Sequence, residues 1–585
     1  MSDVFASFDD ARAKSEEILL KCQLFCQRYE GKIASLKPMY FHDCISEYSD
    51  ICSMLCRLES YAYLVWSTNL NDKEACVFYQ NTNDTVKQCN KVLTFFKVEI
   101  CRELDYSGVI LPDDDNGRGQ RAWLRKCLKA KPHTLSTEVE QLFTEEQTVT
   151  DYWLRLYNEE RAKFSIELQG KKYNESELLQ IYNLQDVALR TEAESKRMKW
   201  YEPRQDLFAL IYNALMRSRL ISWNWHHYSY PAEEANIHND INADDLDNLV
   251  NTFAKADSSA RALSHRYHAL KAKMFGVDKI PYQDRMAPYP FADEGSRYTL
   301  QEAKDLILQT FAEFSPEFAQ IAEMYFDKEY IDFYPREGKA NVAYCMEMPA
   351  DVTSRVFLNF NGYVEDIDVL AHELGHAVHE QLCKKYGELG RHKSCAQAET
   401  ASIFAALLVF DALLKKEKDP KRRFILLAKH IEESIGIMHR QIAFHCFENK
   451  AHEARIKGEV SAEQLRMMYK QEVDNYLGPN VDTDGVDLLW CSILHFFAYD
   501  FYVYSYCFSY CVVNSLYEVY KSGKVSHFAK KYMKMLTDSG IENYRQALGR
   551  FGIDAADPDF WQNGIRLLEQ ELAELEVLAA QITEH

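Results

Sequence analysis

The stretch VLAHELGHAVHE, residues 369–380, contains the pattern H-E-x-x-H at His372, Glu373 and His376. On a helix, residues four apart share a face one turn apart, so the imidazoles of His372 and His376 can converge on one cation. Two neutral imidazoles with coordination positions left open suit zinc. Glu373, one step round from His372, is placed to take a proton from water at the metal instead of ligating it. That is hydrolytic chemistry. Val369, Leu370, Ala371, Leu374, Ala377 and Val378 surround the polar triplet with apolar side chains, as expected of a helix packed on a core. Gly375 costs a helix about 1 kcal/mol relative to alanine, so its presence predicts a close approach by a neighbouring element.

Such a site needs a third ligand. His379 lies on the same face, but seven helical residues rise about 10 Å, too far for His372 and His379 to share one ion. The metzincin arrangement is excluded, because it needs a glycine and a histidine further along where this chain reads Ala377, Val378, His379. Glu380 is on the same helix, and Glu388 lies in GELG, read as a connecting loop. Glu399 opens the apolar run ETASIFAALLVFDALL (residues 399–414), and a second helix crossing the first would bring its carboxylate to the metal. Glu399 is therefore the preferred ligand.

At this point the chain resembles the oligoendopeptidase F branch of the thimet oligopeptidase family of zinc metallopeptidases. FLNFNGYVEDIDVLAHELGHAVH (357–379) and AETASIF (398–404) carry the likeness at the metal site. It extends through KPHTLSTEVEQLF (131–143), LFALIYNALMRSRL (207–220), HRYHALKAKMFGVDKIPYQDRMAPYP (265–290), PREGKANVAYC (335–345) and HFFAYDFYVYSY (495–506), in the family's order. The resemblance implies two helical lobes enclosing a deep cleft that admits short unfolded peptides, and an edge strand beside the metal helix that binds peptide backbone. It also implies a substrate-contacting histidine at His495 and an oxyanion donor among the tyrosines that follow, with Tyr504 the first choice, Tyr502 the next and Tyr506 open. Two departures stand out. Ala406 occupies the position, seven after the ligand, where the family usually has a second glutamate. Val342 in KANVAYC replaces a small residue near the substrate strand, so substrate preference is expected to differ.

The rest of the chain fits a mainly α protein. Its 585 residues are 47% hydrophobic, and glycine (21) and proline (14) are scarce enough to favour long helices over turn-rich β structure. A net charge of −21 argues against a nucleic-acid partner. MSDVFASFDDARAKSEE lacks a basic start followed by an apolar run, so a cytoplasmic location is expected. The sixteen cysteines follow no disulfide-framework spacing, and reduced thiols are expected even at the four-apart pairs Cys22/Cys26, Cys52/Cys56 and Cys507/Cys511.

Residues 1–112 read as an N-terminal helical region and DDDNGRG (113–119) as a boundary. Residues 113–200 follow as a second region, with a short hairpin around Gly170, and 201–585 as the metal-bearing catalytic domain. The prolines of PYQDRMAPYPF (281–291) forbid continuous helix, and Tyr282, Asp284 and Arg285 are expected in a locally bonded loop. Between 330 and 360, aromatic and β-branched alternation predicts a small sheet beside the metal helix. The run from 495 to 520 is read as a buried helix with polar handles and not as a membrane span, because tyrosine and serine recur throughout.

The function expected is a one-zinc endopeptidase for short peptides, with His372, His376 and Glu399 as ligands, Glu373 as general base, and His495, Tyr504 and Tyr502 at the substrate. A catalytically silent peptide-binding protein on the same scaffold and a metallocarboxypeptidase are the alternatives.

Overall fold

Helices dominate the computed structural model, which describes residues 3–104, 106–292 and 297–583. They group into two compact units, each assembled from three separate stretches: 1–144, 296–413 and 519–554 in the first, and 145–295, 414–518 and 555–585 in the second. This grouping cuts across the linear division at 113 and 201 expected from the sequence. Helices assemble by which apolar faces fit, so distant stretches can share one core. DDDNGRG is a break only in the local sense: Asp114 caps Asp115–Ala130 by accepting the N–H of Gly117 at 2.7 Å, and the helix remains in the first unit.

In the first unit, Phe8–Tyr29, Pro38–Thr68 and Lys73–Glu103 bury a shared aromatic and aliphatic core that also takes in Met348, Val352 and Leu389. A three-stranded sheet has Arg355–Phe357 at its centre, parallel to Ile331–Asp332 on one side and antiparallel to Tyr344–Met346 on the other. The sheet packs on the H-E-x-x-H helix, Val364–Cys383. That helix starts where Asp366 accepts the N–H groups of Asn361 (2.7 Å) and Tyr363 (3.0 Å), satisfying donors that a helix N-terminus leaves free. Ile367, Leu370, Ala371, Leu374, Ala377 and Val378 are buried in one stripe, and the histidines lie on another.

The second unit holds the hairpin around Gly170, Ile166–Leu168 with Lys171–Tyr173, as the alternation predicts. Its longest element is Pro420–Lys457, 38 residues begun by an Asp419 cap and a proline in the first turn. Ala462–Leu477 and Pro558–Thr583 pack along it. In the proline-rich loop Arg285 donates to the Tyr282 carbonyl, a local bond of the kind expected, whereas Asp284 is held from outside the loop, buried against Arg190 Nε at 2.6 Å. The run from 495 departs from one buried helix. Leu494–Ala498 is a short helix, the chain breaks, and Tyr504–Ser522 begins a new one. Phe501, in the break, has φ of 50°, a left-handed conformation rare for a bulky residue. No helix among the described residues is long and apolar enough to cross a membrane, and the fifteen cysteines whose side chains are described are free thiols.

Gly375 answers the sequence's question about a close approach. A Cβ there would lie 2.6 Å from both the Ala401 carbonyl oxygen and Ser402 Cα, on the helix Thr400–Lys416. Only hydrogen at this position lets the two backbones touch. Gly375→Val should therefore destabilise the protein by about 1–3 kcal/mol through overpacking and weaken metal binding in parallel, read from urea unfolding and from metal retained after dialysis. A stable variant with full metal content would show that the crossing tolerates a side chain.

Candidate metal centre

Glu399 sits at the junction between the short helix Cys395–Ala398 and Thr400–Lys416, where its carbonyl accepts the N–H of Ile403 at 3.1 Å. The crossing at Gly375 delivers its side chain to the histidine face. Glu399 Oε2 lies 3.4 Å from His372 Nε2 and 3.3 Å from His376 Nε2, and the three ligand atoms are all within 4.8 Å of one another. The imidazole planes stand at 81° with centroids 4.9 Å apart, so both nitrogens point to one place. All three side chains remain between 22% and 31% exposed, which leaves the face open to a ligand.

The electrostatics match a cation site. Burial alone would raise the Glu399 pKa, but hydrogen bonds and charge from the two imidazoles hold it well below the usual carboxylate range. Burial would lower the His372 pKa, yet Glu399 lifts it above the ordinary imidazole value. Glu373 is 6% exposed, and its Oε2 is buried without a hydrogen-bond partner among the described residues. Burial raises its pKa, opposed by the positive charge of His372 and His376 and by the Cys345 backbone amide. A buried carboxyl with an unused oxygen beside two converging imidazoles has the character of a proton acceptor. Two imidazoles and a carboxylate, with room for a fourth ligand, fit zinc in a catalytic setting.

The competing carboxylates are spent elsewhere. GELG is a short buried helix, Gly387–Gly390, in place of the expected loop. Glu388 pairs with the buried Arg391 Nη2 at 2.7 Å, and Glu380 pairs with Lys393 and lies 3.6 Å from Arg391 Nη1. His379 is fully buried, with Nε2 2.7 Å from Ser539 Oγ, and acts in packing. The sequence reading missed Ser402. Its buried hydroxyl lies 2.8 Å from Glu399 Oε2 and 3.0 Å from the Glu399 carbonyl oxygen, so its one proton serves Glu399, a bond that Ala406 cannot make. The i+3 spacing from Glu399 at a helix start was the available signal.

The second unit carries the other expected residues. His495 Nε2 lies 3.3 Å from Tyr506 Oη, and its ring lies nearly parallel to that of Tyr502, at 16° with centroids 6.3 Å apart. Both tyrosines are half-buried, whereas Tyr504 is fully buried. Its hydroxyl donates to Asn236 Oδ1 at 2.7 Å and accepts from Asn239 Nδ2 at 3.4 Å. Residues two apart on a helix face nearly opposite ways, so Tyr504 and Tyr506 cannot share the His495 face. Arg219, also missed, donates to the carbonyls of Phe496 (3.1 Å) and Phe497 (3.0 Å) and ion-pairs with Asp500. Those bonds take the carbonyls that the short His495 helix leaves free, and help end it there.

A mainly helical protein bearing this motif, a crossing carboxylate and a buried second glutamate has the parts of a metallopeptidase. Residues 180–567 match the family model of peptidase family M3, and the chain belongs to that family. It is 25% identical over 602 aligned positions to Oligopeptidase PepF of Bacillus subtilis, covering 100% of this chain and 87% of that protein. Group B oligopeptidase PepB of Streptococcus agalactiae is 24% identical, over 88% of this chain and 87% of its own. Among solved structures, a putative peptidase from Chlamydophila abortus superposes with a TM-score of 0.82 at 18% identity, covering 98% of this chain and 97% of its own. Oligoendopeptidase-F from Enterococcus faecium gives 0.73 at 19% identity, covering 98% and 100%. These two share the fold.

Ser402→Ala should leave the fold intact and weaken metal affinity by roughly 10–100-fold, measured by competition with a chromogenic chelator; wild-type affinity in this variant would remove Ser402 from the site.

Proposed function

We propose that the chain is a zinc-dependent oligoendopeptidase that hydrolyses short, unstructured peptides, with one ion held by His372, His376 and Glu399. The observation that carries this reading is the convergence of those three side chains next to a buried, unpartnered Glu373 oxygen in a chain of peptidase family M3. The oligopeptidase names of PepF and PepB support the substrate class. When bound, zinc supplies Lewis acidity that polarises a carbonyl and acidifies water.

The protein's own groups do the rest. Glu373 accepts a proton from the attacking water and returns it to the leaving amine. The negative charge that develops on the carbonyl oxygen calls for fixed donors. His495 and the phenols of Tyr506 and Tyr502, half-buried on one face, are assigned that role in preference to Tyr504, whose hydroxyl already serves Asn236. Tyr344–Met346 is an edge strand packed near the H-E-x-x-H helix, where an extended peptide can add by backbone pairing with little regard to side chains. The bond from Ser402 to Glu399 supports an active enzyme over a silent binder, because it keeps the ligand oriented without the usual second glutamate.

Glu373→Gln should keep its zinc and lose about 10²–10⁴-fold in turnover of a quenched, end-blocked peptide; undiminished turnover would refute its role. In the same assay Tyr506→Phe should lower kcat by roughly 10–100-fold, while Tyr504→Phe should chiefly lower thermal stability, and the reverse pattern would return the oxyanion role to Tyr504.

A further inference from the structure

The segment that carries His495 is held by groups distant in sequence, all of them in the second unit. Arg219, on Gln205–Trp225, is 11% exposed and serves three acceptors at once: the Phe496 carbonyl at 3.1 Å, the Phe497 carbonyl at 3.0 Å and the Asp500 carboxylate. One residue further, the chain turns through Phe501, whose N–H donates to Glu448 Oε1 at 3.2 Å. The rings of Phe496 and Phe497 are pinned in the core, the first 4.7 Å from Phe447 and the second stacked on Tyr157 at 3.9 Å between centroids. His495, just before them, stays half-buried with Nε2 3.3 Å from Tyr506 Oη.

Glu448 is the unusual member of this set. It is wholly buried on Pro420–Lys457, and its Oε2 has no hydrogen-bond partner among the described residues, as is also true of Asp500 Oδ1. One guanidinium therefore serves two buried carboxyls, and its ion pair is with Asp500. Around them stand Tyr212, Trp223 with its Nε1 donating to Glu234 at 3.0 Å, and the rings of His445 and His452 packed on Phe501. Burial holds His445 down at about 4 and His452 well below the ordinary imidazole value, so neither supplies positive charge at neutral pH. A second buried carboxylate without a cation costs more than keeping a proton. Burial and then the charge of Asp500 push Glu448 well above the usual carboxylate range, against the Phe501 amide and Arg219. Burial, opposed by Arg219 and helped by Glu234, pushes Asp500 up to about 6, so at neutral pH Asp500 is ionised while Glu448 keeps its proton.

We propose that Arg219 and Glu448, the latter as the neutral acid, are positioning residues for the peptidase reaction, fixing the turn at 499–503 so that His495, Tyr502 and Tyr506 meet. Both act through those rings and neither touches the substrate. The inference rests on the oxyanion role assigned above to His495 and Tyr506, and adds to it the two side chains that aim them.

The test is a double-mutant cycle on the zinc-loaded full chain with the quenched, end-blocked peptide. Arg219→Gln should lower kcat by roughly 10–100-fold, the size expected when a donor is misplaced, with KM and zinc content close to wild type. Because the arginine works through Tyr506, adding Tyr506→Phe to Arg219→Gln should cost little more, although Tyr506→Phe alone is costly. Glu448→Gln, which presents an N–H where the acid has its O–H, should keep kcat near wild type. Glu448→Leu should show the loss and the same non-additivity, and it carries the cycle should Arg219→Gln not fold. The wild-type infrared spectrum should contain the carbonyl stretch of a protonated carboxyl that disappears in Glu448→Gln. Wild-type kcat in Arg219→Gln, additive losses in the cycle, equal losses in Glu448→Gln and Glu448→Leu, or an unchanged infrared band would overturn the assignment. If the wild type hydrolyses no peptide, or Tyr506→Phe alone leaves kcat unchanged, the reading above fails instead. The positioning is then decided by the carbon-labelled imidazole resonance of His495, which Glu448→Leu should shift and Glu448→Gln should not; an unmoved resonance in Glu448→Leu would sink it.

Discussion

The site depends on how closely two helices can cross. A carboxylate can join two imidazoles from a neighbouring helix only if the backbones approach nearer than ordinary side chains allow, and at Gly375 the Ala401 carbonyl and Ser402 Cα occupy the space a Cβ would fill. From that contact Glu399 reaches both Nε2 atoms at nearly equal distance. The glycine weakens its own helix by about 1 kcal/mol relative to alanine, a loss that the apolar stripe packed on either side offsets. The same contact places Ser402, three residues beyond Glu399, within 2.8 Å of the ligand oxygen. One missing methyl group thus sets the positions of both Glu399 and Ser402.

Charge around this crossing is arranged so that each acid has a single task. Buried carboxylates near a metal compete for it unless other cations hold them. Arg391, almost wholly buried, sits within ion-pair distance of Glu347, Glu380 and Glu388, and Lys393 adds a second cation at Glu380. These pairs commit Glu347, Glu380 and Glu388 to cations away from the two imidazoles. The positive charge that acts on Glu373 comes from His372 and His376, and its buried Oε2 has no hydrogen-bond partner among the described residues. A carboxyl kept in that state holds capacity to accept a proton.

The convergence of His372, His376 and Glu399 was legible because helical spacing fixes His372 and His376 outright, and because a glycine inside an apolar helix signals contact. The small sheet and the hairpin at Gly170 were legible from alternation. What escaped was set by tertiary partners. The chain from 495 reads as one helix because its aromatic spacing is continuous, yet Arg219, nearly three hundred residues earlier, takes the carbonyls of Phe496 and Phe497, and Glu448 accepts the N–H of Phe501 at 3.2 Å. No local pattern encodes those bonds. The grouping into two interleaved units was hidden for a similar reason, since apolar periodicity says that a face is covered without saying by which stretch.

The break also explains why tyrosines so similar in sequence differ in environment. With the chain reset at Phe501, the new helix starts at Tyr504 and turns that residue inward toward Asn236, Asn239 and His445. Tyr506, two positions on, is carried round to His495, and Tyr502, before the helix, lies against the same imidazole. A continuous helix through this segment would hold 502 and 506 one turn apart but would tie His495 to a register seven and eleven residues upstream, with about 10 and 16 Å of rise between them. Breaking the helix removes that spacing and lets three polar rings gather on one face. The left-handed residue at the break thus goes with a grouping of His495, Tyr502 and Tyr506 that no regular helix presents.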